Sequence, residues 1–254
     1  MEFDLFASAI ERPENKMSDM QTTTATGSEN STAIPMDEQE KVWGKAHTEG
    51  CARSFTQLKD LLAADLTRYS GRADTKSFLK HFIATPGFKY TVWMRLCGYL
   101  KVNPATRHWL YYFVKYMLLR CRYKFGIAIP EYTVIGPGLF INRFGGIYVH
   151  GDSVIGSNVN FTHGVVLGYM NRGERQGAPV VGDESFLGSG AKVIGHIRLG
   201  KRSAVGANAV VTKDFPDDPV VGGIPAKLLS SQGSEGYINN KAGPVADYPP
   251  RFRT

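Results

Sequence analysis

Between residues 129 and 215 an aliphatic side chain returns every six positions. The cleanest run is Val181-Gly182, Leu187-Gly188, Val193-Ile194, Leu199-Gly200, Val205-Gly206 and Val211-Thr212. Four places after each aliphatic stand Ser185, Ala191, Ile197, Ser203, Ala209 and Phe215, most of them small. An earlier run holds Ile129, Ile135-Gly136 and Ile141, slips by two residues, and resumes at Val149, Ile155-Gly156, Phe161 and Leu167-Gly168. A helix face repeats near 3.6 residues and a strand face at 2, so neither accounts for a period of six. The period is that of a hexapeptide β-helix, in which three hexads close one triangular coil with the aliphatic inside. Sandwich strands would show turn clusters roughly every 8 to 12 residues, and these are missing. Residues 169–180 break the period and must loop out of the coil.

The chain around this block reads differently. Residues 1–40 are polar and poor in large apolar side chains, which predicts disorder, because too little surface can be buried to offset ordering. Residues 41–126 read as helical, with Phe55, Leu58, Leu61 and Leu62 on one helix face. Gly71, Pro86-Gly87 and Asn103-Pro104 divide this region into three or four helices. The β-helix is predicted over 127–229. Residues 230–254 form a tail, expected to drape over a partner surface or stay mobile.

Composition excludes several classes. Cys51, Cys97 and Cys121 are odd in number and show no CxxC spacing, against both a disulfide framework and a zinc site. No apolar run approaches the roughly 18 residues of a membrane span. The first residues carry Glu2 and Asp4 and lack a signal-peptide pattern, so a cytoplasmic location is expected.

The net charge of +7 is unevenly placed. From Thr75 to Gly126 there are ten Lys or Arg and no Asp or Glu, together with 13 of the 29 aromatic residues. Residues 129–228 are nearly neutral, with nine basic and eight acidic side chains. Basic helices interleaved with Trp, Tyr and Phe suit the surface of an anionic membrane, with part of the aromatic content packed as core. No nucleic-acid-binding module is present, and nucleic acid is not expected as a partner.

About residues 60 to 230 resemble the hexapeptide acyltransferases, most closely the serine acetyltransferase-like branch with its polysaccharide O-acetyltransferase members. The resemblance rests on Asp65-Leu66-Thr67-Arg68-Tyr69, Pro86-Gly87-Phe88, the two-residue slip after Gly146, the loop at 169–180, and Gly222-Gly223-Ile224-Pro225-Ala226-Lys227. It implies a left-handed parallel β-helix preceded by a small helical domain. It also implies a homotrimer with active sites between neighbouring β-helices, acetyl-CoA as donor, and no metal.

The chemistry of such enzymes is attack of an acceptor hydroxyl on a thioester, for which a base must take the hydroxyl proton. Histidine suits this role near neutral pH. Where the resemblance places an Asp-His pair this chain has Asn142-Arg143, and where it places a second His before a Pro it has Ala178 before Pro179. Arginine cannot act as the base. Counting one coil plus the slip from position 143 leads to His163, which should lie over Arg143 at about the 4.8 Å strand spacing. His163 is therefore the expected base, with Asn142 and Arg143 binding the acceptor, Arg143 through its planar fork. His150 and His196 occupy other hexad positions and are expected to be surface imidazoles.

Ser189 and Ala207 stack 18 residues apart and, by the resemblance, line the pantetheine arm of acetyl-CoA, with Lys213 and Lys227 near its phosphates. The expected activity is O-acetylation of a saccharide in exopolysaccharide, capsule or O-antigen synthesis. The alternative is serine O-acetylation in cysteine biosynthesis, and a further one is a non-catalytic trimeric scaffold. A γ-type carbonic anhydrase needs three histidine ligands, whose spacing His150, His163 and His196 do not supply.

Overall fold

The computed structural model describes residues 48–103, 109–246 and 248. The segment 1–40, expected to be disordered, lies outside these residues. Helix α1 (Phe55–Ser70) starts at Ser54, whose hydroxyl accepts the Gln57 N–H, and stops at Gly71 in the left-handed region with φ of 72°. Helix α2 (Thr75–Ala84) is capped in the same way by Asp74. Helix α3 (Pro86–Val102) has Pro86 at its first position, where a missing N–H costs no hydrogen bond. Pro86-Gly87, which the sequence presents as a breaker, is thus also a helix start. Helix α4 (Trp109–Phe125) leads directly into the coils.

The first coil is β1 (Ile127–Ala128), β2 (Val134–Ile135) and β3 (Phe140–Ile141), and the second is β4 (Ile147–Val149), β5 (Val154–Ile155) and β6 (Asn160–Phe161). The third holds β7 (Val166–Gly168), β8 (Val180–Val181) and β9 (Phe186–Leu187), and the fourth β10 (Lys192–Ile194), β11 (Arg198–Leu199) and β12 (Ala204–Val205). Above them lie β13 (Val210–Val211), β14 (Val220–Gly222) and β15 (Lys227–Ser230). Through β13 every third strand pairs in parallel, and β14 then pairs with β12 because the chain passes the second face at Phe215 with only a single bridge to Leu199, giving three faces ordered β1-β4-β7-β10-β13, β2-β5-β8-β11 and β3-β6-β9-β12-β14. The fold is a left-handed parallel β-helix with a helical N-terminal part. Strand β15 turns back antiparallel on β14 and ends the third face.

The hexad aliphatics stack in register. Ile141, Phe161, Leu187, Val205 and Val221 form one inward column, and all are buried. Each such side chain contributes roughly 1.5–3 kcal/mol by leaving water. The slip is visible in the pairing: Tyr148 follows Ile141 by seven residues, whereas their partners Val166 and Phe161 are five apart. The two extra residues widen one corner of the first coil. Residues 169–179 leave the coil as a small hairpin closed by a Met170–Gly177 bridge, and the Arg175 carbonyl accepts the His196 N–H at 2.9 Å, while Val180, expected in the loop, already lies in β8.

The helices close the lower edge of the β-helix with polar side chains. Tyr90 donates its O–H to the Ile129 carbonyl at 2.8 Å and accepts the Ile129 N–H at 2.9 Å. Tyr69 accepts the Ile141 N–H at 2.9 Å. Arg95 donates to the carbonyls of Ile135 and Gly136, each at 2.8 Å, and pairs with Asp65 at 3.1 Å. Asp65 in turn accepts the N–H groups of Gly138 and Leu139 at 2.9 and 2.8 Å. Burial pushes the Tyr69 and Tyr90 hydroxyls well above their ordinary pKa, so both remain O–H groups.

The C-terminal stretch does not stand clear as a tail. Up to Ala246, and again at Tyr248, it straps along its own β-helix. Asn158 exchanges two hydrogen bonds with the Ala242 backbone at 3.0 and 2.8 Å, Tyr237 stacks on Phe186 with centroids 4.5 Å apart, and Arg68 donates to the Asn239 carbonyl. The Tyr248 hydroxyl reaches the Gly50 carbonyl and Arg95. An amide, an aromatic ring and two arginines supply these anchors, which periodicity of the apolar positions does not reveal.

Removing one member of a buried ion pair leaves the other charge uncompensated, a loss of about 3–5 kcal/mol. Asp65→Ala is expected to lower unfolding stability by that amount in urea denaturation, while Lys241→Ala, which breaks the exposed pair with Glu184, costs less than about 1 kcal/mol. Glu131 supplies a pH signature. Its burial alone would raise its pKa, but the hydrogen bond from Lys115 and the charges of Lys115 and Lys101 outweigh this and hold it below its ordinary 4.5. Its contribution is therefore complete above that value and lost as pH falls below it. The urea midpoint should fall more steeply with acid in the parent protein than in Glu131→Gln.

Candidate active site

The register that stacks Phe161, Leu187 and Val205 also stacks the residues two places later. His163, Ser189 and Ala207 therefore follow one another along a single corner of the β-helix, and Arg143 stands in the widened turn of the first coil below them. The backbone shows the succession from His163 upward: Gly190 donates its N–H to the His163 carbonyl at 2.9 Å, and Asn208 to the Ser189 carbonyl at 2.8 Å, whereas below His163 the two-residue slip intervenes and Gly164 donates to the Gly145 carbonyl at 2.8 Å. Gly164 and Gly190 both adopt φ of 72°, and a Cβ on Gly164 would lie 3.2 Å from the Gly190 Cα. Glycine lets these coils stack closely at the turn.

An open cavity of about 760 Å³ lies against this corner, lined by Asn142, Arg143, Phe144, Thr162, His163 and Ser189, with the α2–α3 turn opposite. Four residues expected from the sequence, Asn142, Arg143, His163 and Ser189, thus share one cavity. His163 is exposed, and its Nδ1 lies 3.4 Å from the Ser189 hydroxyl. With Nδ1 facing Ser189, Nε2 is the nitrogen left to a substrate. The preceding Thr162 is buried and donates its hydroxyl to the Leu187 carbonyl at 2.7 Å, which fixes the backbone that carries His163. Asn142 and Arg143 are exposed on the widened corner of the first coil.

The coenzyme residues divide. Ala207 is exposed and continues the column away from the cavity, and Lys227 pairs with Gly222, one residue before the position that continues it further. Lys213 does not join them. It follows β13 on a different corner and lies over the Phe215 ring at 5.5 Å. His150 and His196 also stand away from the column: His150 packs on Tyr169 at 4.8 Å between centroids, and His196 lies against Gly177 of the hairpin.

Sequence reasoning missed the α2–α3 turn, Phe144 and Thr162 as cavity walls. The turn is held by close approach. Gly87 is buried, and a Cβ there would overlap the Ile141 carbonyl oxygen and sit 2.8 Å from the Ile141 Cβ. The Pro86-Gly87 pair was the available signal, but nothing local ties it to a strand more than fifty residues later.

No family model matches the chain. The fold and the cavity corner define a hexapeptide-repeat protein of the left-handed β-helix class. A serine acetyltransferase of Mycobacterium tuberculosis is 37% identical over 135 residues, covering 51% of this chain and 59% of that protein, so the chain spans little more than half of that relative. A serine acetyltransferase of Helicobacter pylori is 36% identical over 135 residues, covering 53% of this chain and 78% of that protein. The serine acetyltransferase of Neisseria gonorrhoeae, solved in complex with serine, superposes with a TM-score of 0.56 at 29% identity, over 70% of this chain and 71% of that one. The chain belongs to the serine acetyltransferase family.

Gly87→Ala tests the seat of the turn. Overpacking of this kind costs about 1–3 kcal/mol, and the variant should lose that much stability in urea.

Proposed function

We propose that the protein is an acetyl-CoA-dependent O-acetyltransferase with His163 as general base. The observation that carries this reading is the convergence of His163, Arg143 and Ser189 on one cavity. His163 Nε2 takes the proton of the acceptor hydroxyl as its oxygen attacks the thioester carbonyl. The tetrahedral oxyanion collapses, the C–S bond breaks, and the proton passes to the departing thiolate, leaving an ester and free coenzyme A. Ser189 orients the imidazole. Ala207 and Lys227, further along the column, would bind the coenzyme, and Lys213 would contribute from a neighbouring subunit of a homotrimer.

The acceptor the relatives favour is serine rather than the saccharide expected from the sequence. Serine acetyltransferase is the name they carry, and one of their structures holds serine. Arg143 is suited to it, because a guanidinium donates two parallel N–H bonds to a carboxylate. Asn142 beside it would supply a neutral donor and acceptor. One feature keeps the saccharide as a second reading: the half-exposed Phe144 ring on the cavity rim, an apolar platform that serine does not need.

Thiol release from acetyl-CoA with L-serine, compared with a panel of glycans, tests both. His163→Asn is expected to lower kcat by roughly 10²–10⁴-fold with acetyl-CoA affinity retained. Arg143→Ala should raise the KM for serine more than it lowers kcat, as expected for an acceptor anchor. Near-full turnover in His163→Asn would refute the base assignment. Glycan acetylation without serine acetylation would move the acceptor to the second reading.

A further inference from the structure

Helix α4 has two apolar sides. Val114, Leu118, Cys121 and Phe125 are buried against the first coil and α3. On the opposite side Trp109, Tyr112, Phe113, Tyr116 and Tyr123 recur at the three-and-four spacing of one helix face. These face solvent, Trp109 with 76%, Tyr112 with 72% and Tyr123 with 79% of its surface exposed. Arg120 falls within the same stripe and Lys124 beside it, both exposed.

Helix α2 repeats the design. Lys76, Leu79, Lys80 and Ile83 share one exposed face, Ile83 with 65% of its surface in solvent. A bridge of aromatic rings joins the two helices: Phe82 to Trp93 at 5.8 Å and Trp93 to Phe113 at 6.5 Å between centroids. Soluble surfaces rarely expose contiguous apolar area on this scale unless something binds there.

The charge says what binds. Three of the cations between 75 and 126 serve the interior, Arg95 with Asp65, and Lys101 and Lys115 with Glu131. Lys76, Lys80, Arg120, Arg122 and Lys124 remain at the surface, and residues 75–126 contain no acidic side chain. A second copy docked on this face through a two-fold axis would set cations against cations. An anionic bilayer offers both complements at once, with an interfacial layer for Trp and Tyr and headgroup charge for Lys and Arg. No helix of the described residues is long and apolar enough to cross a membrane, so attachment would be at the surface.

We propose that α2 and α4 form a docking surface for an anionic lipid bilayer. The surface adjoins the candidate site. Ile83 is followed at once by Ala84, Thr85, Pro86 and Gly87 of the cavity wall, and Phe144 on the rim packs against Phe125 of α4 at 5.9 Å between centroids. Docking would set the cavity at the edge of the bilayer. The proposal goes beyond acetyl transfer and does not rest on it, since binding is measured without acetyl-CoA or acceptor.

The test is cosedimentation of the full chain with vesicles of phosphatidylcholine alone or with about 30% phosphatidylserine, close to the surface charge of an anionic leaflet. Binding should be strong to the anionic vesicles, weak to the neutral ones, and should decline with salt as screening sets in. Arg120→Ala and Lys124→Ala should each weaken it about fivefold, the equivalent of about 1 kcal/mol per cation. The triple variant Tyr112→Ser, Tyr116→Ser, Tyr123→Ser should abolish binding while keeping the parent's far-ultraviolet circular dichroism and cooperative urea unfolding, which shows that it folds. Equal binding to both vesicles, or none to either, overturns the proposal. So does a triple variant that still binds vesicles but sediments as a smaller oligomer, because the face would then be a contact between copies.

Discussion

The stack of coils has to begin somewhere, and its first strands have no neighbour below them. An unpaired strand edge exposes N–H and C=O groups that invite pairing with another chain and are costly to bury unsatisfied. The helical part meets each of the three faces with a polar side chain: Tyr90 at Ile129, Arg95 and Asp65 around Ile135 to Leu139, and Tyr69 at Ile141. These are hydrogen bonds of side chain to backbone standing in for a missing coil. The Asp65–Arg95 pair is tolerable in the interior because both ends are spent on such bonds, with Tyr248 adding a further partner. The helices are thus a cap on the β-helix rather than an appended domain. At the other end β15, running antiparallel, covers β14 on the third face.

The site inherits its precision from the same stacking. A β-helix corner repeats at a fixed rise, so residues far apart in sequence become neighbours at strand spacing without any loop having to find its place. His163 and Ser189 are 26 residues apart and meet at 3.4 Å because each lies two places after one of the paired inward residues Phe161 and Leu187. The two-residue widening of the first coil interrupts the regular corner just where Asn142 and Arg143 stand. That leaves room for the cavity, whose far wall is the α2–α3 turn seated on Ile141 by Gly87. Cap and cavity therefore share Ile141, which links stability to the site.

Positive charge on the helices serves two ends. Inside, it neutralises Asp65 and Glu131 where the helices meet the first coil. Outside, it decorates two amphipathic stripes whose apolar members are largely exposed to solvent. A block of sequence with cations and no acids is consistent with either use, and burial alone separates them.

The six-residue period by itself determined the β-helix, its inward columns, the slip and the excursion at 169–180, because each coil buries the same few positions and the pattern is written locally. Coil counting likewise put Ser189 in line with Ala207, and led from Arg143 to His163, with which it shares a cavity. Tertiary structure decided what counting could not reach. It brought Ser189's hydroxyl to the imidazole, placed the α2–α3 turn and Phe144 around the cavity, and left Lys213 on another corner. It also laid the tail, expected to drape over a partner surface or stay mobile, along its own β-helix as a strap held by Asn158 and Arg68. The reason is the same in each case. Hexad periodicity encodes which side chains point inward within one repeat, whereas the packing of helix, strap and corner depends on contacts between segments up to 198 residues apart, such as Tyr248 and Gly50, and these leave no period in the sequence.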